Sequence, residues 1–311
     1  MATGFYTHDE CLGHVTPPGH PEQVARLEYV ARALEGAAFA GLKRFDAPLG
    51  TDAAILRCHP QSYLDAIVAA EPATGTRALD SDTHMSPGSV AAARRAVGGA
   101  IAAVDAVLAG DLTNAFVAAR PPGHHAERET PMGFCLFGTV AIAAKHALDV
   151  RGLSRVAVVD FDVHHGNGTQ DLLWDEPRGL FFSSHQSPLW PGTGAEDERG
   201  AHDTIFNIPL EPGSGGAVMR AAYEGRVFPL LGALKPELIL ISAGFDAHRA
   251  DPLAGLRWVE EDFAWLTARL CDVAQEICGG RVVSVLEGGY DLPALAASVA
   301  AHVGVLMEKS A

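Results

Sequence analysis

Short apolar stretches rich in β-branched or aromatic residues recur at 115–118, 156–161, 180–183, 205–208, 238–242 and 282–286, and each predicts a strand. Between them, apolar residues return with helical spacing over 22–34, 89–109, 140–150, 217–234, 260–277 and 293–306. Strand and helix therefore alternate. VAVVDF and ELILIS contain unbroken apolar runs, so these strands are expected to be buried on both faces, as in a parallel sheet covered by helices. No long polar stretch rich in Pro, Gly and Ser divides the chain, and no internal repeat occurs. The pattern predicts a single three-layer α/β domain over residues 1–311, with a mainly parallel β-sheet between helices.

Composition narrows the class. A chain that is 48% hydrophobic and 20% charged is globular, not disordered. Lys and Arg total 23 against 38 Asp and Glu, and the resulting formal charge of −15 gives a surface that repels nucleic acid and anionic membranes. The five cysteines, Cys11, Cys58, Cys135, Cys271 and Cys278, are scattered and form no Cys-x-x-Cys pair, which argues against a disulfide framework and a thiolate zinc site. No apolar run approaches the roughly 20 residues that span a bilayer, and MATGFYTHDE lacks the basic and apolar segments of a signal peptide. A soluble, cytoplasmic protein is expected. No heptad or exposed apolar helix specifies an oligomer.

The 14 histidines are the feature that asks for chemistry. In an open parallel sheet, ligands gather where strands end and loops to the next helix begin. Four such ends here carry polar groups: RPPGHH (120–125), DFDVHHGNG (160–168), SAGFD (242–246) and LEGGY (286–290). Asp162 and His164 alternate along an extended strand end and so share a face. With Asp246 they would give a divalent metal three protein ligands and an open position. Alone, Asp-x-His is more often a solvated strand end, and the neighbouring segments reverse that balance. The adjacent His124 and His125 suit general base chemistry or a surface doublet, and Tyr290 suits either oxyanion stabilisation or ordinary packing.

Together these residues resemble those of the zinc-dependent histone deacetylases, a superfamily that includes acetylpolyamine amidohydrolases and shares the arginase-type α/β fold. RPPGHH, GFC (133–135), DVHHGNGTQ (162–170), PGTG (191–194), SAGFDAH (242–248) and EGGY (287–290) occur in the family's order. Asn167 and the wording around it are similar to the class II branch. The resemblance implies that Asp162, His164 and Asp246 hold one catalytic Zn2+, that His124 and His125 are the tandem histidines, and that Tyr290 is the oxyanion donor. It further implies that Asp160 orients His124 and Asn167 orients His125. A structural potassium ion is expected near Asp160, Asp162, His164 and Ser183. Phe134 and Trp190 are expected to wall an acyl-amine tunnel, with Gly133, Gly288, Leu253 and Asp82 also against the substrate. Core packing is the competing expectation for both walls, and more strongly so for Trp190.

Two polar groups have competing structural expectations. Arg26 is read as an exposed helical arginine, with an internal channel as the other reading; the resemblance sets Asp80 and Asp82 at the tunnel rim, where an acid can hold the substrate backbone or an amine, with capping of the helix near Pro87 as the alternative. The implied activity is removal of acetyl or other acyl groups from N-acylated amines. Acetyl-lysine-type small-molecule or peptide substrates are favoured over acetylpolyamines because Leu253 stands where a polyamine-selective branch has an acid. An acyl-amine binding protein without catalysis and a binuclear ureohydrolase are the competing classes. The latter would need a second carboxylate cluster, which the sequence lacks.

Overall fold

The structure is a computed structural model that describes residues 2–310. The strands are β1 (Thr3–Thr7), β2 (Lys43–Asp46), β3 (Arg77–Ala78), β4 (His84–Met85), β5 (Asn114–Val117), β6 (Val156–Asp160), β7 (Gly179–Gln186), β8 (Ile205–Leu210), β9 (Ile239–Ala243) and β10 (Val282–Leu286). The helices are α1 (Ala25–Ala33), α2 (Asp52–Ile55), α3 (Gln61–Ala70), α4 (Ser89–Ala109), α5 (Thr139–Asp149), α6 (Asn167–Leu173), α7 (Gly216–Ala222), α8 (Phe228–Leu234), α9 (Glu260–Cys278) and α10 (Leu292–Ser310).

Eight strands form one sheet in the order β2-β1-β5-β10-β9-β6-β7-β8, and β3 and β4 form a separate small hairpin. Every neighbouring pair in the large sheet is parallel. Unbroken burial of β5, β6, β9 and β10 explains their continuous apolar runs, since helices cover both faces. On one side α10 packs on α1 and α9, while α4 packs on α5 and α5 on α6. This is the three-layer architecture expected from the alternating pattern.

Three departures have local causes. β1 is a short strand interrupted by Gly4, and β2 is an edge strand exposed at every position, so neither shows the apolar run of a central strand. The first predicted helix begins only at Ala25, because the residues before it form a turn that sends Glu22 into the interior. The helix expected over 217–234 is broken by a π turn, Tyr223–Val227, directly before α8. Pro229 in the first turn of α8 has no N–H to donate, and the wider turn accommodates its missing bond.

Strand register sets the functional edge. Val117 lies opposite Val285, Leu286 opposite Ala243, and Asp160 opposite Ser242. The four central strands β5, β10, β9 and β6 thus end nearly level, and their loops emerge side by side.

Beneath that edge His302 of α10 is completely buried and joins two other elements. Its Nδ1 lies 2.6 Å from the Thr267 hydroxyl and its Nε2 2.9 Å from the Ser284 hydroxyl. Thr267 donates its one proton to the Phe263 carbonyl, so Nδ1–H of His302 donates to Thr267 and Nε2 accepts from Ser284. Burial pushes this imidazole down to about 3 from an ordinary value of 6.5. Below pH 6.5 the unfolded chain therefore binds a proton here that the folded chain refuses, and stability falls with pH. The expected outcome is that the urea-measured stability gap between wild type and His302→Gln narrows by about 2 kcal/mol from pH 7.5 to 5. A gap that does not change with pH would show that the ring takes up protons equally in both states.

Candidate active site

The loops leaving the four central strands are tied to one another by carboxylates that accept a neighbouring loop's N–H. Asp246, after β9, accepts from Val163 N–H in the loop after β6, at 2.8 Å. Asp162, after β6, accepts from Gly288 N–H after β10, at 2.8 Å. Glu287, after β10, accepts from the N–H groups of Gly123 and His124 after β5, at 2.7 and 3.2 Å. Each acid so placed is buried; the second oxygens of Asp246 and Asp162 face His164, while Oε1 of Glu287 has no partner among the described residues.

The second oxygen of Asp246, Oδ2, lies 3.1 Å from His164 Nδ1, and Asp162 Oδ1 lies 3.2 Å from the same nitrogen. One ligand atom from each of Asp162, His164 and Asp246 falls within 4.8 Å of the others, the sole such group found among the described residues. Two glycines make room for it. A Cβ at Gly244 would stand 2.0 Å from Asp162 Oδ2, and one at Gly288 would stand 2.3 Å from Asp246 Oδ2. Two hard oxygens and an imidazole nitrogen, buried beside a cavity, are a donor set that fits zinc with a position left open. Burial and the Asp162 charge push the Asp246 carboxyl up to about 7.

Beside this group the rings of His124 and His125 lie 3.9 Å apart. His124 Nδ1 is 2.9 Å from Asp160 Oδ2. Burial alone would lower its pKa, but the Asp162 and Asp160 charges overcome that and hold His124 well above the ordinary range. His125 Nδ1 is 2.7 Å from Asn167 Oδ1, while the amide nitrogen of Asn167 donates to Glu127 at 2.7 Å. That orientation makes His125 Nδ1 the donor and leaves Nε2 as the bare nitrogen. Burial, followed by the charges of His124 and His164, pushes His125 well below the ordinary value. The surroundings therefore push the two imidazoles of the pair in opposite directions.

A cavity of about 300 Å³ opens onto these groups, with His125 and His164 in its floor and Phe134, Trp190, Leu189, Leu253 and Tyr290 in its walls. Trp190 packs edge-on against His125 with centroids 4.7 Å apart, and 41% of it remains exposed, which excludes an ordinary core role. Phe134 stands edge-on to Tyr290 at 5.8 Å, and its N–H donates to Thr83 Oγ1. Gly133 and Asp82 also line the cavity. Gly288, expected against the substrate, lies behind the carboxylates, because its N–H is taken by Asp162. Burial holds the Tyr290 phenol well above its ordinary pKa, so it keeps its proton.

The expectation that Arg26 is exposed is overturned, since it is completely buried. Glu22 accepts two hydrogen bonds from Arg120, at 2.5 and 2.7 Å, and one from Arg26 at 3.0 Å. Arg26 also donates to the Gly289 carbonyl at 2.6 Å, with its guanidinium 4.9 Å from the centroid of the Tyr290 ring. The helix-capping alternative for the rim acids is likewise overturned. Asp80 accepts from the N–H groups of Asp82 and Thr83 within its own turn, and α4 starts after Gly88 without a side-chain cap. Glu287 and Asp251 were not singled out from the sequence. Asp251 accepts from the N–H groups of Tyr290 and Leu253, joining two cavity walls. Their signal was an acid beside a motif glycine or proline.

A family model described as the histone deacetylase domain matches residues 20–306. Histone deacetylase 10, chloroplastic, of Oryza sativa subsp. japonica is 38% identical over 95% of this chain and 71% of its own. The histone deacetylase-like amidohydrolase of Pseudomonas aeruginosa is 39% identical over 93% of this chain and 81% of its own. A crystal structure of the HDA15 HD domain superposes with a TM-score of 0.93 and 32% identity, covering 99% of this chain and 89% of that one. The fold is thus the deacetylase fold, and the chain belongs to the histone deacetylase family of hydrolases.

Proposed function

We propose that this chain is a zinc-dependent amidohydrolase that removes acetyl and related acyl groups from N-acylated amines, with acetyl-lysine-type substrates preferred, and that residues 1–311 act as one catalytic domain. The observation that carries the reading is the convergence of Asp162, His164 and Asp246 with the histidine pair at the floor of an apolar-walled cavity. What zinc supplies when held by those three residues is Lewis acidity, which polarises an acyl carbonyl and acidifies water.

The chain's own groups do the rest. His125 Nε2 receives the proton of the attacking water, and Asn167 holds the ring in the tautomer that leaves this nitrogen bare. His124, whose Nδ1 is held by Asp160, is the member of the pair suited to carrying a proton. The Tyr290 hydroxyl donates to that oxyanion, and the histidine pair returns a proton to the departing amine. Phe134 and Trp190 pack on a thin aliphatic chain and exclude water. Potassium is proposed at Asp160, the main-chain carbonyls of Asp162 and His164, and Ser183. Strand register, which sets Asp160 opposite Ser183, supports this placement.

Leucine at 253 on the cavity wall supports an uncharged or lysine-like substrate stem. Asp82 on the same cavity is the feature that would favour an acetylpolyamine, whose distant ammonium needs an acid. Hydrolysis by the purified, zinc-loaded protein separates the readings. Acetyl-lysine peptides are expected to give the higher kcat/KM, and a preference for acetylpolyamines would reverse the assignment. No turnover of any N-acyl amine would support a binding protein.

Two variants test the roles. Metal analysis should find about one zinc per wild-type chain and a large loss in Asp162→Ala, and retention of the metal would remove Asp162 from the ligand set. Tyr290→Phe keeps the ring and removes the donor, so kcat should fall about 10² to 10³-fold while hydroxamate affinity changes little. If KM rises and kcat stays within a few-fold, Tyr290 is only a wall.

A further inference from the structure

Several motif residues take no part in the chemistry above: His165 and Gln170 of DVHHGNGTQ, and Thr193 and Gly194 of PGTG. The structure brings them together around Glu198. The Glu198 carboxylate accepts from the N–H groups of Gly194 and Ala195 at 3.1 Å each, and from Gln170 Nε2 at 2.6 Å. A carboxylate only accepts, so the amide nitrogen of Gln170 faces Glu198 and its oxygen faces the other way. That oxygen lies 3.0 Å from His165 Nε2 and accepts from Asn207 Nδ2 at 2.8 Å. His165 Nε2–H is therefore a donor, and its Nδ1 accepts from the Thr193 hydroxyl at 2.8 Å. His185 closes the circuit by donating from Nε2 to the Gly194 carbonyl at 3.0 Å.

Gly194 is held at both its N–H and its carbonyl. Its φ of +88° lies in the left-handed region, and a Cβ there would stand 2.6 Å from both the His165 and His185 rings. The segment is thus locked between two imidazoles that admit no side chain. At the other end of this loop, Ser187 N–H bonds the Leu210 carbonyl at 2.9 Å and Gln186 accepts from Gly255 N–H. Leu189 and Trp190 lie between the two anchored ends and line the cavity, with Trp190 against His125 and much of its surface in water. The inner face of Trp190 packs on His125 while its outer face is in water, so its place follows both from that contact and from where the loop is held.

We infer that Glu198, acting through Gln170, His165 and the Thr193–Ala195 backbone, is a positioning residue that sets Trp190 and hence the width of the acyl-amine cavity. The inference rests on the amidohydrolase reading for its kinetic consequence but not for its structural one. Glu198 touches neither the proposed zinc ligands nor the tandem histidines. Its loss should loosen substrate fit rather than slow the chemical step.

The test uses zinc-loaded, full-length Glu198→Ala and Thr193→Val, each compared with wild type in two assays. In hydrogen exchange read by mass spectrometry, peptides covering 187–197 should exchange about tenfold faster in Glu198→Ala, with a smaller rise in Thr193→Val and no change elsewhere in the sheet. In kinetics, KM for an acetyl-lysine peptide should rise about 3- to 10-fold with kcat within about twofold, and preference for acetyl over butyryl groups should shrink. Unchanged exchange overturns the latch, whatever the enzyme does. Faster exchange with unaltered KM and acyl preference overturns the link to Trp190. A fall in kcat with zinc loss places Glu198 in support of the metal site instead. If wild type hydrolyses no N-acyl amine, the functional reading fails, and the exchange result still decides the latch.

Discussion

The site depends on carboxylates buried at the ends of parallel strands, each of which must find hydrogen-bond donors away from water. An unpaired buried carboxylate is costly, and a charge left alone in an apolar interior is costlier still. Here the donors are backbone N–H groups of another of the four loops at the sheet edge. Asp246 takes Val163, Asp162 takes Gly288, and Glu287 takes Gly123 and His124. Satisfying the acids and aligning the four loops are therefore one event. The side chains that carry chemistry inherit their spacing from bonds made to oxygens on their far side.

A second layer of charge lies behind the first. Glu22 is held well below the ordinary carboxylate range: burial opposes this, but Arg120, His14 and Arg26 prevail. Removing one member of such a group typically costs 3 to 5 kcal/mol, because a buried charge is left without its partner. Arg26 carries the restraint forward, binding the Gly289 carbonyl while its guanidinium lies against the Tyr290 ring. The Tyr290 ring in the cavity wall is thus braced from the interior, and Asp251 accepts its N–H.

Much of this was legible in the sequence, for specific reasons. Central strands such as 156–160 announce themselves because burial on two faces leaves only apolar side chains, and the chemistry-bearing residues follow them directly. Edge strand β2 carries no such signature, because water on its outer side tolerates Lys43 and Asp46. Arg26 was misread for a related reason. Its place on a helix is visible from spacing, but its partner Glu22 lies in the turn before that helix, and only the folded loop shows that both point inward. Glu287 stands beside motif glycines, but nothing in that local pattern tells which donors its carboxylate meets, and they lie in a loop more than 160 residues earlier in the chain.

Strand order also has a consequence for how the molecule comes into being. β10 is the last strand in the chain, yet it sits between β5 and β9 at the middle of the sheet. Until residues 282–286 arrive, β5 and β9 each present an unpaired apolar edge, the kind of surface that invites pairing with the wrong strand. During synthesis the sheet is therefore two separate halves awaiting a keystone, and the loop that carries Gly288 and Tyr290 arrives with that keystone. The Gly288–Tyr290 loop is therefore docked against the other three loops only when β10 pairs with β5 and β9 together, so the cavity is assembled by the same pairing that unites the two halves of the sheet.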